Sequence, residues 1–170
     1  MTTKSGAPEV LHAWAICLQA SEEARRRGDR RTGTEHLLLA LLEDPSIEVV
    51  LGVSLQQARQ AEESLDHEAL GALGLAFGTD APPLPMRAVP KKPRLRDVAK
   101  KDRFRMTPAA KKVLEEAVKP NRRKTQVTAQ QVLAQILTLQ PPDPAAVLLG
   151  ALGVNTSEVR RRLDAIMPDS

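Results

Sequence analysis

The second half of this 170-residue chain repeats the first. Ala13, Ile16, Cys17 and Ala20 stand opposite Ala110, Val113, Leu114 and Ala117 at an offset of 97. Glu35 faces Gln130 at 95, Asp44-Pro45 matches Asp143-Pro144 at 99, and Leu51-Gly52-Val53 matches Leu152-Gly153-Val154 at 101. The drift needs only small loop deletions. A chain built this way must fold as one unit used twice, each copy supplying the apolar surface the other lacks.

The unit is helical. Val10, Trp14 and Cys17, flanked by Leu11, Leu18 and Ala24, recur at three- and four-residue steps and predict a first helix over residues 8–27, stopped by Gly28. Thr32 and Glu35 have capping-box spacing ahead of the apolar run Leu37, Leu38, Leu41 and Leu42, which ends at Asp44-Pro45. A short third helix follows from Pro45 to Gly52. Ser54 with Gln57 opens a fourth through about Leu65, and residues 67–73 form a short fifth segment. In the second half Thr107-Pro108 starts a helix running to Pro120, Thr128 and Gln131 cap the next, and Pro141-Pro142 ends it. Asp143-Pro144 starts another that Gly153 closes, and Asn155 or Thr156 begins the last, with Val159, Leu163 and Ile166 inward. Composition agrees: Trp14, Phe77 and Phe104 are the only aromatic residues, too few for the pleated faces of a β-sandwich or barrel. We expect an all-α, eight-helix, pseudo-twofold domain with a first repeat over 1–77 and a second over 106–170, the two packing together.

Residues 78–105 break the pattern. Five prolines replace the apolar periodicity, and nine basic residues against Asp97 and Asp102 give residues 86–105 a local charge of +7, leaving −3 for the rest of a chain whose net charge is +4. This reads as a solvated, extended tether. Its functional alternative is contact with nucleic acid or an acidic partner, but Phe104 is its only aromatic and no helix-turn-helix or RNP-like pattern accompanies it. A single cysteine, Cys17, excludes an internal disulfide and fits a reducing compartment. The chain begins without an apolar leader and contains no run of about 18 apolar residues, which predicts a cytoplasmic protein with no membrane contact.

Several of these motifs, in order, carry a family likeness. Ser21-Glu22-Glu23-Ala24-Arg25-Arg26 and then Thr32-Gly33-Thr34-Glu35-His36-Leu37-Leu38-Leu39-Ala40-Leu41-Leu42 resemble the first repeat of the Clp amino-terminal (Clp R) domain at the front of Clp-type AAA+ unfoldases. Thr107 to Glu115 resembles the start of its second repeat, and Ala151-Leu152-Gly153-Val154 its last helix junction. The resemblance implies a module that recognises substrates, adaptors or degradation tags for a protease machine. The sequence has no G-x-x-x-x-G-K-[ST] stretch to cradle a phosphate, so the expectation is a free-standing, non-catalytic domain without a cofactor.

Glu35 is the leading candidate residue. A helix start offers backbone N–H groups to an anion while a carboxylate there can pair with a guanidinium, a combination suited to phosphorylated arginine. The resemblance implies that use for Thr34, Glu35 and His36; completion of a capping box with Thr32 is the plainer role for Glu35 and does not exclude it. Gln130 and Gln131 replace the charged pair in the second half, so one site is expected rather than two. His36 beside an apolar face reads as a packing or capping group, and Cys17, aligned with Leu114, as core. His12, His36 and His67 lack paired-ligand spacing, so no metal is expected, and no catalytic constellation is present. A second candidate is a groove along Val10 and Trp14 and the start of the second repeat at Met106 and Lys111. Relatives place an aromatic where Met106 stands, in a groove used by unfoldase-targeting cyclic peptides, which admits a decoy role that sequesters such peptides. Expected partners are therefore a protein or peptide ligand, Clp machinery, an adaptor or an arginine-phosphorylated protein, with nucleic acid disfavoured.

Overall fold

The computed structural model describes residues 10–74, 105–119 and 126–166. They hold eight helices: α1 (Ala13–Arg27), α2 (Thr34–Leu41), α3 (Pro45–Leu51), α4 (Leu55–Ala72), α5 (Pro108–Val118), α6 (Ala129–Ile136), α7 (Pro144–Ala151) and α8 (Thr156–Ile166). The expected linker lies outside the described residues except for Arg105. The domain is all-α, with one short ribbon of two strands, β1 (Val10–His12) and β2 (Gln126–Thr128).

The helix boundaries follow local chemistry. Asp44, Ser54, Thr107, Thr128 and Asp143 each accept a first-turn N–H through the side chain. Proline occupies the first position of α3, α5 and α7, where its missing N–H costs nothing. Gly28, Gly52 and Gly153 end helices or turns at positive φ (87°, 72° and 67°), a conformation that a Cβ would strain.

The halves interleave. Ile16, Leu37, Leu38, Leu41 and Ile47 from the first and Leu133, Ile136, Leu148 and Leu163 from the second are all buried in one apolar cluster. Each such side chain contributes roughly 1.5–3 kcal/mol by leaving water. The chain segments that lead into the helices also cross between halves. β1 pairs antiparallel with β2, placing Val10 opposite Thr128, while Thr32 forms a parallel bridge with Met106. Thr32 N–H donates to Arg105 O at 2.8 Å and Thr107 N–H to Thr32 O at 2.9 Å. The two Leu-Gly-Val junctions, Leu51 to Val53 and Leu152 to Val154, line one shared cavity of about 470 Å³.

Three local expectations are corrected. Residues 10–12 are strand rather than the start of a helix running over 8–27, because pairing with β2 overrides their helical spacing. The predicted fourth helix and fifth segment are a single helix, since nothing between Leu65 and His67 interrupts the backbone. Ile166, expected inward, is 51% exposed because α8 ends there, one turn beyond buried Leu163. No helix among the described residues is long and apolar enough to cross a membrane.

Candidate functional site

Glu35 sits at the second position of α2, on the wall of a cleft of about 580 Å³. The end of α1 supplies Arg27, the following turn Asp29, Arg30 and Arg31, α4 supplies Glu62, Leu65 and Asp66, and α7 closes it with Pro144, Val147 and Leu148. The turn is built by Gly28: with Gly28 N–H donating to Arg25 O at 3.1 Å and Asp29 N–H to Ala24 O at 2.8 Å, the chain reverses and brings Asp29 back beside α2.

Only half of a capping box forms, one residue later than the sequence suggested. Gly33, not Thr32, precedes the helix, and His36 caps it, Nδ1 accepting from Gly33 N–H at 3.0 Å. Thr32 is drawn away by its bridge to Met106, and its Oγ1 lies 3.3 Å from Ser21 Oγ. Glu35 is thereby left out of the box. Its carboxylate folds back into the space that a Cβ at residue 33 would fill, so glycine is what permits this rotamer. Oε1 reaches His36 Nδ1 at 3.0 Å, and Oε2 is buried with no hydrogen-bond partner.

His36 is 1% exposed and stands between two carboxylates, Glu35 at Nδ1 and Asp29 Oδ2 at Nε2, 3.1 Å away. Nδ1 cannot serve both neighbours at once. Without a proton it accepts from Gly33 N–H; with one it donates to Glu35. Burial alone would lower the His36 pKa, but the Glu35 hydrogen bond and the charges of Glu35, Asp29 and Glu62 outweigh it and hold the pKa above its ordinary value. Burial raises the Glu35 carboxyl, while the His36 bond, its own backbone N–H, and the charges of His36 and Arg27 bring it net below the usual carboxylate range. Glu62 is held above that range by burial, which its partner Arg27 offsets only in part. Arg27 ties the cleft together, meeting Glu62 at 2.5 Å, Asp66 at 2.6 Å and Asp29 at 3.4 Å.

Asp29, Glu35 and His36 bring one ligand atom each within 4.8 Å of one another, a grouping that histidine spacing in the sequence did not show. The two carboxylates approach different ring nitrogens, Glu35 at Nδ1 and Asp29 at Nε2.

The other candidates disperse. Thr34 is buried and spent between the halves, its hydroxyl donating to Asp143 Oδ1 at 2.7 Å. Trp14 is 57% exposed near the start of α1, whose preceding strand is tied to β2. Met106 is half-buried beside Thr32, which contacts Ser21, seven residues and so about 10 Å along α1 from Trp14. Lys111 is exposed and 3.6 Å from Glu115. Cys17 is half-buried against the core, its thiol pKa raised by that burial. Sequence reasoning missed Arg27, Asp29, Glu62 and Asp66. The Arg-Gly-Asp-Arg-Arg run around Gly28 was a usable signal for a charged turn, but nothing in the sequence placed α4 against it.

Residues 11–138 match the Clp repeat (R) N-terminal domain, three-quarters of the chain. The chain belongs to that family. The match begins in β1 and ends just past α6, and α7 and α8 complete the second half beyond it. No curated protein matches the sequence. Within the Clp repeat domain the matched region contains Glu35, His36 and the whole of the Gly28 turn.

Proposed function

We propose that this Clp repeat domain is a non-catalytic recognition module that captures substrates or adaptors for Clp-type proteolysis, and that Glu35 receives the guanidinium of an arginine-phosphorylated protein. The observation that carries the reading is the Glu35 carboxylate: its Oε2 is buried without a partner on the wall of an open cleft, beside a histidine whose proton controls its other oxygen. Swinging out from over Gly33, the carboxylate would trade one contact with His36 for a charge-assisted, two-pronged pair with a guanidinium. Leu65, Pro144, Val147 and Leu148 offer the apolar lining for the ligand's methylenes. Membership of the Clp repeat family supports the broader role.

The test is calorimetry of the full chain with an arginine-phosphorylated protein and with the same protein after arginine dephosphorylation. Saturable binding of the phosphorylated form alone, weakened in Glu35→Ala, is expected. Equal binding of both forms, or no effect of Glu35→Ala, contradicts the reading, and so does ATP hydrolysis by the purified chain for its non-catalytic part.

A further inference from the structure

The cleft carries charges of both signs, and they are unequally engaged. Its acidic groups are Asp29, Glu35, Glu62 and Asp66; Arg27 is committed to Glu62, Asp66 and Asp29, and Glu35 to His36. Arg30 and Arg31 also line the cleft, are exposed, and make no hydrogen bond or ion pair among the described residues. A guanidinium entering here would find carboxylates on one side and two unspent guanidinium groups on the other.

Phosphorylating an arginine attaches a phosphate directly to its cationic head, so any pocket for it must receive opposite charges within a few ångströms. Glu35 alone would repel that phosphate. At the start of α2 the Gly33 N–H is already taken by His36. Arg30 and Arg31 are the unengaged donors, two planar forks in consecutive positions on a turn fixed by Gly28.

We infer that Arg30 and Arg31 are the anion-binding pair of the cleft and set its preference for phosphorylated over plain arginine. This rests on the reading that Glu35 takes the guanidinium. Glu35 confers affinity for the cation and is indifferent to phosphorylation or opposed to it; the arginine pair confers the selectivity.

The experiment is fluorescence anisotropy of the full chain with three labelled peptides of one sequence, carrying phosphoarginine, arginine or phosphoserine at the same position. In the double variant Arg30→Gln/Arg31→Gln, affinity for the phosphoarginine peptide falls about tenfold or more while the weaker arginine peptide is unaffected or tightens. Arg30→Lys/Arg31→Lys restores part of the loss, because charge returns without the fork. Both residues are exposed, so an unchanged melting temperature accompanies these results. If Glu35→Gln weakens binding but the double glutamine variant binds the phosphoarginine peptide as the wild type does, the arginine pair is refuted and the Glu35 reading stands. If the phosphoserine peptide binds as tightly as the phosphoarginine one, the pair is a general anion patch and the selectivity is refuted. If wild type binds neither arginine peptide, or Glu35→Gln changes neither, both readings fall together.

Discussion

Helices α2 and α6 hold equivalent places in the two halves, and their first turns solve one problem with different chemistry. In α6, Thr128 and Gln131 cap each other, with Thr128 N–H donating to Gln131 Oε1 at 2.9 Å and Gln131 N–H to Thr128 Oγ1 at 3.1 Å. In α2, Gly33 has no side chain to return the bond and His36 replaces the amide. Gln130, equivalent to Glu35, is 5% exposed and turns its amide to Ser46 Oγ at 3.3 Å, in the first turn of α3. The contrast extends outward. In the first half ion pairs run between helices, from Glu23 to Arg59 and from Arg27 to Glu62 and Asp66. In the second half those among the described residues stay within one helix: Lys111 with Glu115, Lys119 with Glu116, Arg162 with Glu158. The duplicated apolar core makes the fold, and the charged cleft is built on one copy of it.

The largest effect tests whether the core is common to both copies. Leu38 and Leu133 are equivalent and fully buried. Leu38→Ala and Leu133→Ala should each cost about 2–5 kcal/mol in chemical denaturation, with one transition retained. Two separate transitions would show that the halves unfold independently.

Next comes the charge lacing. Glu23 is 4% exposed and accepts from Arg26 Nε at 3.1 Å and from Arg59. Removing Arg59 leaves a buried acceptor short of a donor, so Arg59→Ala should cost about 1–3 kcal/mol. Lys111→Ala, which breaks an exposed pair in the second half, should change stability by less than about 0.5 kcal/mol. Equal costs would erase the distinction between the copies. Glu23 itself is pushed up by burial and brought net below its ordinary pKa by Arg59 and Arg26. Its contribution is present above the unfolded carboxylate value and is lost as pH falls through the lowered one.

The smallest effect isolates His36. Its raised pKa means that its proton stabilises the fold fully below the unfolded histidine value, and that this contribution is lost as pH rises through the folded one. His36→Gln copies the second half's solution, retaining an acceptor for Gly33 N–H and removing the titration. Melting temperatures of wild type should decline as pH rises above the unfolded histidine value, and those of the variant should be flatter there. Parallel curves would mean that Asp29, Glu35 and Glu62 do not hold a proton on the ring.

Much of this was legible in the sequence. The proline and glycine punctuation marked most helix limits because those residues act through their own backbone, independent of tertiary context. The correspondence of Asp44-Pro45 with Asp143-Pro144 revealed the duplication for the same reason. β1 was read as helix because its spacing is helical and its partner, β2, lies more than a hundred residues away. Glu35 could be singled out in the sequence but its surroundings could not: Arg27 and Asp29 precede it within eight residues, whereas Glu62 and Asp66 arrive on α4 by packing. The capping residue was misplaced by one because Thr32 is pulled into a bridge with Met106, a partner from the other half.

If ligand binding belongs to one copy only, amide-resolved NMR titration with a phosphoarginine peptide should show saturable shifts at residues 29–36 and around Leu65 and Val147, none of comparable size at Thr128 to Gln131, and their loss in Glu35→Gln. Matching shifts at Gln130 with the same midpoint, or shifts at residues 29–36 that persist in Glu35→Gln, would contradict it.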